Sequence, residues 1–151
     1  MTALERLLAI EDIRNLQARY VRIADSKDWH ELSKLFTDDA TFTSHDVAGN
    51  VTGKMSGRRA IATEVDAAVG DGIVIHHLFS HEIDITSSDT AHAIWSMEDW
   101  IDRTGDGAGD LADLPFRTMR GYGHYHIDYV RLDDGWLIAS LRLQRNRLDF
   151  T

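Results

Sequence analysis

Residues Ile73 to Asp102 read IVIHHLFSHEIDITSSDTAHAIWSMEDWID, and this stretch decides the fold class. Two runs rich in β-branched and aromatic residues flank the polar triplet Ser87-Ser88-Asp89, and neither contains proline. That pattern predicts two long strands, Ile73–Ile85 and Thr90–Asp102, joined by a turn. Downstream, Phe116–Leu132 and Trp136–Arg147 predict two more strands, with Asp133, Asp134 and Gly135 as the hairpin signal between them. Between the second and third of these strands, Arg103–Leu114 is rich in Gly and Asp and ends at Pro115. It is either a loop over a pocket or a long surface connection. Upstream the period changes. Ala9, Ile13, Leu16, Tyr20 and Ala24 recur at helical spacing within Thr2–Asp25, and Thr2 and Glu5 stand at the spacing of a capping box. A short helix is expected over Trp29–Phe36, strands near Ala40–Ser44 and Val51–Met55, and a third helix from Gly57 to its stop at Gly70. Helices first and long antiparallel strands afterwards imply an α+β fold, with helices on one face of a curved sheet.

The 151 residues suit a single domain, 1–151, with one core. Acidic residues outnumber basic ones 25 to 16, a formal charge of −9, which argues against nucleic acid as a partner because phosphate binding rests on Lys and Arg. No apolar run approaches the roughly 20 residues of a membrane span. The amino-terminal stretch mixes charges of both signs and does not read as a signal peptide. The absence of cysteine removes disulfides, thiolate metal sites and thiol nucleophiles, and a cytoplasmic location is expected.

Among the side chains able to do chemistry, the eight histidines stand out. Strict alternation along Ile73–Ile85 puts His77 with Ile73, Ile75, Phe79, His81, Ile83 and Ile85 on one face, and His76 on the other. His124 and His126 share a strand face, but no third metal ligand stands at suitable spacing, so no metal is expected. Asp25 closes an apolar helix, at the negative end of the helix dipole, where a carboxylate is disfavoured. Such a placement has a reason, tertiary or functional. Phosphate-loop, nucleophile-elbow, zinc-helix and EF-hand patterns are all missing from the sequence.

The order IEDIRNLQARYVRIADSKDWHELSKLFTDDATF (10–42), GRRAI (57–61), His76-His77 and DDGWLI (133–138) resembles the SnoaL-like branch of the NTF2-like superfamily. The resemblance spans about Leu4 to Arg142. Its most specific parts are the DxxDWxxLxxLFxDDAxF pattern of Asp25–Phe42 and the RLDDGW hairpin of Arg131–Trp136. It implies an NTF2-like (cystatin-like) cone-shaped barrel, a curved antiparallel sheet closed by the amino-terminal helices around a deep apolar pocket. It resembles in particular the branch containing scytalone dehydratase, bile-acid 7α-dehydratase and a dehydrochlorinase. On the family's pattern, Asp25 matches an Asp late in the first helix and His76 a His early in the strand after the third helix. Tyr20, five residues before Asp25, and Asp99, 23 residues after His76, match further family positions. Alternation favours His77 as the inward residue and the resemblance favours His76. A bulge can reset strand parity, so His76 is the expected base and His77 the reserve.

The resemblance therefore implies a lyase of the dehydratase type that needs no cofactor and acts on a small hydrophobic, cyclic or aromatic molecule. His76 would be the base, Asp25 its orienting partner, Tyr20 a hydrogen-bond donor to developing charge and Asp99 a proton donor to the leaving group. Two alternatives remain open at this point. One is a non-catalytic ligand-binding or dioxygenase-accessory domain, and the other an isomerase, cyclase or carbon–carbon lyase of the same superfamily. A homo-oligomer, dimer or trimer, is expected, with His92, His124 and His126 as candidates for the shared surface.

Overall fold

Helix α1 forms because its apolar positions and its start signal agree. In the computed structural model, whose described residues are 1–105, 116–133 and 135–151, α1 spans Ala3–Asp25. The Thr2 hydroxyl accepts from the Glu5 amide and the Glu5 carboxylate accepts from the Thr2 amide, the reciprocal pairing that the spacing predicts. Ala9, Ile13, Leu16, Gln17, Tyr20 and Ala24 make the buried stripe. The elements that follow are α2 (Trp29–Ser33), β1 (Phe36–His45), β2 (Val51–Ser56), α3 (Arg58–Val69), β3 (Ile73–Ile85), β4 (Thr90–Asp102), β5 (Thr118–Leu132) and β6 (Gly135–Phe150).

The six strands make one curved sheet in the order β2-β1-β6-β5-β4-β3. The chain lays down the β1–β2 hairpin at one edge, crosses through α3 to the far edge, and returns by a four-strand meander. After those reversals β6 runs in the direction of β1, so that pair is parallel. The sheet is thus mixed where an antiparallel one was expected, and it keeps two edges rather than closing into a barrel. Boundaries shift too. Phe36, expected to end the second helix, already begins β1, while β5 starts at Thr118 and β6 runs on to Phe150. Residues 106–115 of the expected loop lie outside the described residues.

The inner face meets the helices. Its main cluster joins Ile13, Leu16 and Tyr20 of α1 to Trp95, Tyr125, Ile127, Ile138 and Leu141 of the sheet. Within it, Trp95 Nε1 donates to the Tyr129 hydroxyl at 3.1 Å, which donates to Gln17 Oε1 at 2.9 Å. A second apolar cluster, Val69, Val74, Ile101 and Met119, lies at one end of the sheet. Helix α1 also satisfies the backbone of edge strand β3 with side chains. Arg6 donates to the Ile85 carbonyl, and Asp25 accepts from the His76 amide. Covering an edge in this way removes a template for unwanted strand pairing.

Candidate active site

Strand β3 carries the feature that decides which histidine points inward. Leu78 pairs with Met97 and His81 with Trp95, so Phe79 and Ser80 together oppose the single residue Ser96. This is a β-bulge, and it inverts the side-chain alternation. After it, Ile83 and Ile85 face the core with Ala93 and Ala91; before it, Val74 and His76 do so, opposite Ile101 and Asp99. Simple alternation therefore holds for the second half of β3 and fails for the first. His77 lies on the outer face, its side chain 62% exposed and its Nδ1 3.7 Å from Glu98. It is not a residue of the interior.

His76 meets Asp25 where α1 ends beside β3. Asp25 Oδ1 lies 2.7 Å from His76 Nδ1 and also accepts the His76 backbone N–H at 3.0 Å. An ionised carboxylate can only accept, so the neutral imidazole carries its proton on Nδ1 and leaves the Nε2 lone pair free. The His76 and Asp25 side chains are 12% and 31% exposed, so both are sheltered and neither is fully sealed from solvent. The same contact explains Asp25 at a helix terminus: the amide and imidazole of β3 outweigh the unfavourable end of the dipole.

Tyr20 is buried, its ring edge-on to Tyr125 and to Phe36 at 6.0 Å each. Burial pushes its phenol well above the ordinary tyrosine value, so it stays a neutral donor at any working pH. Asp99 is inward and buried as well, but it is not a free acid. Arg145 of β6 grips it with two parallel bonds, Nη1 to Oδ1 at 2.5 Å and Nη2 to Oδ2 at 2.8 Å. Both carboxylate oxygens of Asp99 are therefore engaged by the guanidinium, so it stands beside His76 as half of an ion pair and not as a lone carboxyl.

Arg145 was not found from the sequence. Trp136 and Ile138 open β6 facing inward, and alternation from them puts Arg145 outside. A register shift opposite Asp128 and Tyr129 changes the parity, after which Leu141, Leu143 and Arg145 share the inner face. The only local signal is an arginine at the next place in an apolar period of two. Its reach depends on the GYG of residues 121–123. A Cβ on Gly121 would collide with the Arg145 guanidinium and the Asp99 carboxylate, and one on Gly123 with the Gln144 carbonyl. Across the inner face the register runs His76, Asp99, Gly121, Leu148, so the His76–Asp25 pair and the Asp99–Arg145 pair are neighbours.

His124 and His126 lie on the outer face, where His92 bonds Asp128 at 2.8 Å. Among the described residues no group of three or more His, Asp or Glu side chains is placed to hold a metal ion. No helix among them is long and apolar enough to cross a membrane.

The SnoaL-like domain family matches residues 5–142. The chain belongs to that family. A relative of this SnoaL-like domain from Gibberella zeae, named probable cyclase FGR4, is 27% identical over 139 residues, 88% of each chain. Among solved structures, a candidate scytalone dehydratase from Novosphingobium aromaticivorans superposes with a TM-score of 0.79 at 18% identity, covering 99% of this chain and 92% of that one. The hexachlorocyclohexane dehydrochlorinase LinA-type3 of Novosphingobium barchaimii gives 0.76 at 18% identity, covering 99% and 94%. These two likenesses establish the NTF2-like fold.

Proposed function

We propose that this SnoaL-like domain is a lyase catalysing elimination on a small hydrophobic, cyclic or aromatic molecule, with His76 as general base. The observation that carries this reading is the 2.7 Å contact between Asp25 Oδ1 and His76 Nδ1. His76 Nε2 takes a proton from the substrate carbon, the C–H electrons form the new double bond, and the leaving group departs with its own pair. When the leaving group is hydroxide, the imidazolium returns the proton to it, so the net change is loss of water. Asp25 holds the tautomer and offsets the charge that forms on the ring, as a triad aspartate does. Tyr20 donates to an oxygen that gains negative charge, a role that suits its raised phenol. The Arg145–Asp99 pair beside His76 supplies fixed dipoles to the same space. Among the structural neighbours, dehydrochlorinase and scytalone dehydratase are names of elimination enzymes, whereas the sequence relative is named a probable cyclase.

The test begins with a panel of cyclic β-hydroxy ketones and halogenated rings, following loss of water or acid by mass spectrometry. On the substrate found, His76→Ala is expected to lower kcat by about 10²–10⁴-fold. Asp25→Asn is expected to lower it by up to about 10⁴-fold, with the melting transition kept. Near-normal turnover by His76→Ala would overturn the assignment.

A further inference from the structure

Helix α1 ends in a turn whose central position ordinarily belongs to glycine. The Lys27 amide donates to the Ala24 carbonyl at 3.0 Å and the Asp28 amide to the Ile23 carbonyl at 3.3 Å, the bond pattern of a Schellman motif. Lys27 holds φ +56° there, and it is the only non-glycine residue with positive φ among the described residues. Glycine suits that left-handed position because a Cβ crowds the backbone. A lysine persists in it when other contacts of the residue outweigh the strain.

Those contacts are made by its side chain, which crosses to the turn between α3 and β3. Lys27 Nζ donates to the Gly72 carbonyl at 2.9 Å and to the Gly70 carbonyl at 3.3 Å. An ammonium with three donors on a long stem can bridge two carbonyls in this way. The turn is itself seated against the sheet. A Cβ on Gly72 would come within 2.8 Å of the Asp102 carbonyl, and Ile73, next in the chain, pairs with Asp102. Lys27 follows Asp25 by two residues, and Gly72 precedes His76 by four. The lysine therefore ties the end of α1 to the start of β3 on both sides of the candidate site.

The Asp25–His76 contact depends on such a tie. Strand β3 is the edge of the sheet, so pairing with β4 fixes its register and leaves its distance from α1 to other contacts. Helix ends fray, and Asp25 is the last residue of α1. Besides Asp25 itself, Lys27 is the only side chain from this end of α1 that hydrogen-bonds residues 70–76, among the described residues.

We propose that Lys27 is a positioning residue of the candidate active site. By bridging the Gly70 and Gly72 carbonyls it holds the Asp25 carboxylate against the His76 imidazole and keeps the proton on Nδ1. Its effect on turnover rests on the elimination reading; its effect on the pair does not.

The chain has no cysteine, so Lys27→Cys introduces a single thiol, and 2-bromoethylamine converts that thiol to an aminoethyl thioether that restores the ammonium. NMR of the imidazole nitrogens at mildly alkaline pH reads the His76 tautomer, its signals identified by their loss in H76A. K27C and K27M are expected to stay folded in circular dichroism melts and to replace the Nδ1–H signature of His76 with a mixture of tautomers. On the substrate found, kcat is expected to fall by about 10–10²-fold with KM little changed, the effect of a base misplaced by about 1 Å. Aminoethylation of K27C is expected to recover the tautomer and the rate. A His76 tautomer unchanged in both K27C and K27M would overturn the inference, and so would complete aminoethylation, verified by mass, that restores neither readout. If H76A turns over normally while the tautomer still follows Lys27, the elimination reading falls and the positioning role stands.

Discussion

Arg145 and Asp99 show how a residue's worth depends on its partner. Both side chains are about nine-tenths buried, and each is the other's only charged neighbour at bonding distance among the described residues. Removing one leaves an uncompensated charge in an apolar surround, so Arg145→Ala or Asp99→Ala is expected to cost about 3–5 kcal/mol in chemical denaturation. Replacing both together, as Asp99→Leu with Arg145→Met, is expected to cost much less, because buried pairs exchange for apolar residues at little loss. If the double replacement destabilises as much as the sum of the singles, the pair is not a unit. Asp25 differs in that its side chain is 31% exposed, so Asp25→Asn is expected to act on turnover more than on stability. Asp25 and His76 were legible in the sequence through the family resemblance, whereas strand alternation alone pointed to His77. Arg145 was not legible, since its inward position depends on a register shift that no local pattern announces.

At the scale of the element, strand β3 is the one whose geometry matters most. Its bulge lets the Ile83–Ile85 half pack in the core while the Val74–His76 half also faces inward. Deleting Ser80 removes the extra residue, and one half must then turn its side chains outward. The expected loss is about 2–4 kcal/mol, the transfer free energy of Ile85 with part of Ile83, or of Val74 with its neighbours. A urea titration measures it, and an unchanged midpoint would show that the bulge is not what holds the two halves. Helix α1, β3 and β4 were legible almost to the residue, because caps, turn residues and long periodic runs mark their ends. The second helix was read too long, since Leu35 and Phe36 are as apolar in a strand as in a helix. Only pairing with β6 draws Phe36 into the sheet.

For the whole molecule, charge and burial set a pH range. Burial, then the charges of Arg142, His92 and His124, hold His126 below the ordinary histidine value, with Asp128 and Ile94 its other neighbours on the face. The unfolded chain therefore binds that proton first, and the stability from neutral His126 is complete above about pH 6.5 and declines as pH falls below it. At the other extreme, burial raises Tyr20, Tyr125 and Tyr129, so the unfolded chain ionises first and stability is lost as pH rises past about 10. Melting temperatures from pH 5 to 11 are expected to trace that plateau, and His126→Gln to flatten its acid side. An acid limb unchanged in His126→Gln would assign it elsewhere. The sequence by itself determined the α+β class and the order of elements, because periodicity, caps and turn signals are local, and its family resemblance pointed to a histidine–aspartate pair. Only the tertiary structure decided which of two adjacent histidines faces inward, that the sheet is mixed, and that Asp99 belongs to Arg145. Each of those depends on bulges and on contacts between strands far apart in the chain, where one residue of register exchanges inside for outside.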